Sequence, residues 1–286
     1  MAYYEYRIPV NDQQKRDIAI ALLTDLGLYG FEETDAELIG FSKRPIDADE
    51  LNQIFQVLDL SFSESVIEDK NWNEIWESEF QPITVLDVAQ QNVFAYVRAH
   101  FHPAPADAQY DLVITPKMSF GTGHHATTYG MMSYMSTIDF HGLKVIDFGT
   151  GTGLLAILAE KMGAVHVLAT DNDPWCIRNA GENITVNECT HIELLQSDHF
   201  ESTQSPDVIL ANINLNIIKD NLGLIAKACN ENTLLLFSGV MLEDETEILA
   251  ALSMHDIKEI NIIKNNGWLI IAAKSSRQIV TLTEGR

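Results

Sequence analysis

Apolar and polar positions alternate from Tyr3 to Val10, which predicts a strand ending at Pro9. Ile18, Ala19, Leu22, Leu23 and Leu26 then recur at helical spacing over Asp12–Leu26, and Gly27 closes the helix. A short strand over Glu37–Lys43, a helix over Asp49–Leu58 with Leu51, Ile54, Phe55 and Leu58 on one face, and a strand over Ser61–Glu68 complete the N-terminal pattern. Strand, helix, strand, helix, strand within so few residues predicts a small α+β domain of ferredoxin-like type at 1–60. It holds no convergent catalytic residues and reads as a recognition or docking module.

Charge becomes one-sided over 59–80, which marks a junction, and a linker is placed at 61–82. Asp59, Glu64, Glu68, Asp69, Glu74, Glu77 and Glu79 face Lys70 alone. Trp72, Trp76 and Phe80 recur every four residues, so they share one helical face, either packed in a core or bracketing a ligand. Residues 83–89, 93–100 and 110–115 read as strands that precede the main fold.

From Thr127 onward the period switches repeatedly between helix and strand. Helices are predicted at Thr127–Ile138, Leu154–Met162, Pro174–Asn187, Ile217–Cys229 and Glu243–Met254. Strands are predicted at Lys144–Phe148, His166–Thr170, Ile192–Leu195, Asp207–Ala211 and Thr233–Ser238. Ile257–Ile263 and Gly267–Ala273 pair across an Asn265-Asn266-Gly267 hairpin signal. Alternating β and α elements predict a doubly wound, mostly parallel α/β sheet over 83–286, with an antiparallel last strand.

Composition narrows the class. The chain has 286 residues, enough for two modest domains, with 46% hydrophobic and 21% charged residues, which suits a globular protein with a real core. No apolar run of about 18 residues predicts a membrane span, and MAYYEYRIPV does not read as a signal peptide. Cys176, Cys189 and Cys229 are scattered, so a reducing cytoplasm is the expected compartment. The formal net charge is −23. Such a surface repels nucleic acid and attracts basic partners, or serves solubility alone.

Candidate chemistry centres on Val145-Ile-Asp-Phe-Gly-Thr-Gly-Thr-Gly153, a strand followed by a glycine turn and a helix. Counted from Gly151, Gly-Thr-Gly-Leu-Leu-Ala156 satisfies a dinucleotide pattern, with Asp171 placed to bind ribose hydroxyls, so an NAD-dependent oxidoreductase is one reading. Counted from Asp147, the same turn resembles the first motif of S-adenosylmethionine-dependent methyltransferases. The glycines then let the backbone approach the cofactor, Asp147 accepts hydrogen bonds directly or through water near its ammonium group, Asp171 takes both ribose hydroxyls, and Asp198 lies near the adenine or caps a turn. Asn212 ends the fourth strand, where open α/β sheets bind substrates. Its carbonyl can accept a hydrogen bond from an amine and aim the lone pair, or it is a buried capping residue. His124 and His125 lack an acidic or cysteine partner at ligand spacing, so no metal is expected.

Together these segments resemble the ribosomal protein L11 methyltransferase (PrmA) family over most of the chain. The resemblance rests on Trp72-x3-Trp76-x3-Phe80-x-Pro82, Phe120-Gly-Thr-Gly-x-His125-x-Thr-Thr128, the turn at 145–153, Asp171-Asn-Asp-Pro174 with Asn179-Ala and Asn183, Ala211-Asn-Ile213 and Ser238-Gly-Val240. The loop at 120–128 is the most specific piece. The resemblance implies an N-terminal substrate-recognition domain, a flexible linker and a Rossmann-like catalytic domain using S-adenosylmethionine. It implies lysine amines and the N-terminal α-amine of ribosomal protein L11 as acceptors, trimethylated. Cofactor contacts fall on Thr128, Gly149, Asp171 and Asn212, with Gly151 and Gly153 in the same turn. Phe120, Gly121 and Thr122 belong to a loop that closes over the cofactor. Thr150 stands where the family usually has Cys, and His124 where it often has Thr. A methyltransferase for another basic protein and a non-enzymatic ribosome-binding module are the other readings.

Overall fold

The computed structural model describes residues 3–34, 36–58, 60–67, 80–115, 120–202 and 205–275. Two compact units divide the chain, Met1–Ile75 and Trp76–Arg286.

The first unit runs β1 (Tyr3–Pro9), α1 (Gln13–Asp25), β2 (Tyr29–Glu33), β3 (Glu37–Ser42), α2 (Ala48–Leu58) and β4 (Ser63–Ile67). The sheet order is β2-β3-β1-β4, and every pairing is antiparallel. The helices form where the apolar stripe dictated. Asp12 caps α1 by accepting from the Lys15 N–H at 2.9 Å, and Gly27 follows it with φ +93°. Tyr6, Ile8, Leu23, Leu38, Leu51 and Phe55 close the core. Strand β2 is absent from the sequence-based expectation. Its YGFEE run has no clean alternation, and its pairing with β3 slips between Tyr29 and Phe31, so local pattern carries little signal there. The predicted helical face of Trp72 and Trp76 lies outside the described residues.

The second unit opens with β5 (Ile83–Leu86), β6 (Val93–Arg98) and β7 (Tyr110–Val113), a three-stranded sheet in the order β5-β6-β7. Then follow α3 (Ala126–Met135), β8 (Lys144–Phe148), α4 (Leu154–Lys161), β9 (His166–Asp171), α5 (Pro174–Val186), β10 (Ile192–Gln196) and β11 (Val208–Asn212). The chain continues through α6 (Leu215–Ala228), β12 (Leu234–Met241), α7 (Glu245–Met254), β13 (Ile257–Asn265) and β14 (Trp268–Ser275). The seven-stranded sheet has the order β10-β9-β8-β11-β12-β14-β13. Strands β8 to β12 are parallel, and β14 is antiparallel to both β12 and β13.

Period-two patterning splits this sheet's side chains between two cores. Val145, Val208, Leu210 and Ile270 join α3, α4 and α5 on one face, while Ile146, Ile209, Phe237 and Ile271 join α6 and α7 on the other. Each fully buried aliphatic side chain contributes about 1.5–3 kcal/mol, so both faces hold the strand ends firmly. The small sheet is tied on by amides of α5 and of the residue that caps its C-terminus. Asn187 donates to the Val113 carbonyl at 2.6 Å and accepts from its N–H at 3.0 Å, and Asn183 accepts from the Thr115 N–H at 2.9 Å. Strand order reverses between β8 and β11, and that switch point opens a crevice at their carboxyl ends. Among the described residues, no helix is long and apolar enough to cross a membrane.

Candidate functional site

The turn after β8 is built by close approach. Gly149, at φ +78°, leaves no room for a Cβ, which would stand 2.2 Å from Ile213 Cγ2. At Gly151, with φ +57°, a Cβ would stand 2.3 Å from the Phe120 carbonyl oxygen. The Gly149 and Thr150 N–H groups both donate to the Thr170 carbonyl, at 2.9 and 2.8 Å, and lock the turn onto β9.

A second loop is stitched onto the first. The Thr152 N–H donates to the Phe120 carbonyl at 3.0 Å, and Thr152 Oγ1 donates to the Gly121 carbonyl at 2.7 Å. Asn183 Nδ2 in turn donates to the Thr152 carbonyl at 2.8 Å. The loop at 120–125 thus leads into α3 over the glycine turn. His125 caps α3, its Nδ1 lying 2.8 Å from Thr127 Oγ1.

Between these loops lies a cavity of about 620 Å³. Of the expected residues, Phe120, Gly149, Gly151, Asp171, Asp198 and Asn212 line it. Asp171 spends one lone pair of each carboxylate oxygen inside the protein, accepting from the Gly151 N–H at 2.9 Å and the Asp173 N–H at 3.0 Å. Its remaining acceptor sites suit two hydroxyls.

Gly121, Thr122, Thr128, Gly153 and Asp147 are not on the cavity wall. Gly121 and Thr122 belong to the loop, and Gly153 precedes the first turn of α4 with its Cα face against Ala180. Asp147, expected to accept hydrogen bonds near the cofactor's ammonium group, lies off the cavity wall. Asp147 is 1% exposed, and its Oδ2 accepts from Thr150 Oγ1 at 2.6 Å. Burial pushes its pKa up to about 7, against the lowering effect of the Thr150 and Ala156 donors. The group braces the turn from behind.

Asn212 has the opposite character. It lines the cavity while being 8% exposed, and its Nδ2 donates to Thr128 Oγ1 at 2.9 Å. Its Oδ1 is buried and has no hydrogen-bond partner among the described residues. An orphaned buried acceptor costs about 1–3 kcal/mol, and this one stands at the cavity wall, open to a ligand's donor.

Sequence reasoning missed Trp268 and Asp220. Trp268 follows the hairpin turn, and its ring meets His125 at 4.9 Å, while His125 meets Phe120 at 5.3 Å. All three rings line the cavity, and Phe120 is 54% exposed at its edge. Only the Asn-Gly hairpin signal hinted at this position, and it says nothing about which loop the ring would meet. Asp220 lies on α6 with no local pattern to mark it.

Charge separates the two cofactor readings. Asp171, Asp173, Asp198 and Asp220 line the cavity, and no Lys or Arg does so among the described residues. A dinucleotide pyrophosphate would face carboxylates without a cation to neutralise it, whereas a sulfonium with an ammonium group is favoured there. A glycine cradle closed to any Cβ, a strand-end carboxylate with open acceptor sites and an orphaned amide oxygen fit S-adenosylmethionine. The fold and this cavity define an S-adenosylmethionine-dependent methyltransferase, and the oxidoreductase reading is set aside.

Comparison with known proteins narrows the class. The family described as ribosomal protein L11 methyltransferase (PrmA) matches residues 13–276. A curated ribosomal protein L11 methyltransferase of Porphyromonas gingivalis is 39% identical over 239 residues, 80% of each chain. One of Bacteroides fragilis is 31% identical over 282 residues, 95% of this chain and 99% of its own. The crystal structure of a ribosomal protein L11 methylase from Lactobacillus delbrueckii subsp. bulgaricus aligns with a TM-score of 0.59 at 26% identity, covering 68% of this chain and all of that one. The chain belongs to the ribosomal protein L11 methyltransferase (PrmA) family.

Proposed function

We propose that this protein methylates amines of ribosomal protein L11, at lysine side chains and at the N-terminal α-amine. The observation that carries the amine reading is the unpartnered Asn212 Oδ1 at the cavity wall. L11 as acceptor follows from the names of the relatives. The first 60 residues serve substrate recognition, 61–82 serve as the linker, and the reaction takes place in the cytoplasm. The net charge of −23 favours a basic protein over nucleic acid as partner.

Gly149 and Gly151 cradle the amino acid end of the cofactor, Asp171 binds the ribose hydroxyls, and Asp198 flanks the adenine. Phe120, His125 and Trp268 cover the reacting end and exclude water. When bound, S-adenosylmethionine supplies a methyl group: the amine lone pair forms the C–N bond as the C–S bond breaks, its electron pair passing to sulfur.

The obstacle is the acceptor's proton. A free lysine has a pKa of about 10.4, so about 0.1% is neutral at about pH 7.4. Enclosure beside a positive charge lowers that pKa. Asn212 Oδ1 accepts an N–H of the neutral amine and turns its lone pair toward the methyl, and the released proton passes to solvent.

Incubation with purified L11 and S-adenosylmethionine, followed by mass spectrometry, tests the reading. It predicts methylated lysines and a methylated N-terminus. Methylation of a different basic protein with L11 untouched would overturn the substrate assignment.

A further inference from the structure

We infer that Thr128 is a positioning residue acting through Asn212, and that their hydrogen bond serves the first two methyl transfers to a nitrogen but not the third. The inference rests on the amine-methylating reading above. Thr128 occupies the first turn of α3, is 1% exposed and does not line the cavity. Its Oγ1 accepts from Asn212 Nδ2 at 2.9 Å. That bond fixes the amide plane and leaves Oδ1 as the unpartnered end.

The orientation decides the chemistry. With Oδ1 open, the site presents an acceptor, which engages an amine N–H and leaves the nitrogen lone pair free to attack. With the amide reversed, the site would present a donor, which would occupy that lone pair and block attack. Thr128 anchors the amide at Nδ2, in the form that leaves Oδ1 open to the amine.

An acceptor can act only while the nitrogen carries a hydrogen. A neutral unmethylated amine has two N–H bonds, a monomethylated amine has one, and a dimethylated amine has none. After each of the first two transfers the ammonium product loses a proton to water, which regenerates a neutral nitrogen. The third transfer yields a quaternary ammonium with no proton to lose. Asn212 Oδ1 has no donor to meet in that last step, and the dimethylated nitrogen is instead held by apolar contact with the rings of Phe120, His125 and Trp268.

Single-turnover rates at saturating S-adenosylmethionine, on unmodified L11 and on L11 whose amines have been reductively dimethylated, test this in wild type, Thr128→Val and Thr128→Ser. Thr128→Val should slow transfer to unmodified L11 about tenfold, the worth of one buried hydrogen bond. On dimethylated L11 it should stay within about twofold of wild type, as should its cofactor affinity by calorimetry. Thr128→Ser should restore the rate on unmodified L11. Thr128→Ala should reproduce the valine pattern if the valine variant does not fold. Equal slowing on both acceptors, or weakened cofactor binding with unchanged rates at saturation, would overturn the inference and leave the methyltransferase reading intact. A wild type that methylates neither acceptor would overturn both.

Discussion

Asp147 and Asn212 lie at the carboxyl ends of neighbouring strands, β8 and β11, where Asp147 pairs in register with Leu210. Both are polar and nearly inaccessible, at 1% and 8% exposure. One is closed and the other is open. Asp147 accepts from Thr150 at 2.6 Å and lies behind the glycine turn, off the cavity. Asn212 has its amide nitrogen bonded to Thr128 and its oxygen unpartnered, and it lines the cavity. Burial of a polar group alone therefore does not mark a functional contact. An unmet hydrogen-bonding capacity at a cavity wall is the better guide, because a ligand can reach it and meet it.

The contrast can be broken first at the turn that separates the two residues. In Gly151→Ala the new Cβ would stand 2.3 Å from a backbone oxygen, which no side-chain rotation relieves. The left-handed conformation adds about 1 kcal/mol, so the clash is the larger effect. Calorimetry should show cofactor affinity reduced about a hundredfold or more, with thermal stability lowered by about 2–4 kcal/mol. Near-normal affinity would mean that the turn does not hold the cofactor.

Asp147 sharpens the contrast through pH. Its pKa is near 3.8 when unfolded and about 7 when folded, so the native state holds the extra proton. Its stabilising contribution is complete below about pH 4 and is lost as pH rises toward 7, by an amount on the order of 4 kcal/mol. Asp147→Asn removes that dependence. The urea midpoint of wild type relative to the variant should fall between about pH 4 and about pH 7 and level off above that. A constant difference would contradict a carboxyl group that is closed off and neutralised by burial.

The smallest expected effect concerns the open carboxylates that Asp147 does not join. Wild-type association with L11 should slow several-fold between about 50 and about 200 mM salt, because charge attraction is screened. An on-rate indifferent to salt would leave the net charge of −23 as a solubility feature.

Much of this architecture was legible from pattern. The Asn265-Asn266-Gly267 hairpin, the strand ending at Phe148 and the helix starting at Pro174 follow from local rules, and the structure has them. Strand β2 was not legible, since its short run lacks alternation. The cavity placement of Gly149, Gly151 and Asp171 was readable because close backbone approach demands glycine and because the crevice of an open α/β sheet lies at its strand ends. The division of labour between Asp147, Thr128 and Asn212 was not. It depends on a hydrogen bond between residues 84 positions apart, on a hydroxyl at 150 that satisfies Asp147, and on which groups reach the cavity. Trp268 was equally hidden, because its neighbour His125 comes from a loop far away in sequence.

The single-turnover rate of methyl transfer to L11 in Asn212→Ala, with the cofactor at saturation, tests the central claim most directly. The open oxygen is assigned to the acceptor amine, so the rate should fall about a hundredfold while cofactor affinity changes by no more than about threefold. A wild-type rate with weakened cofactor binding would contradict it and would place the Asn212 oxygen on the cofactor.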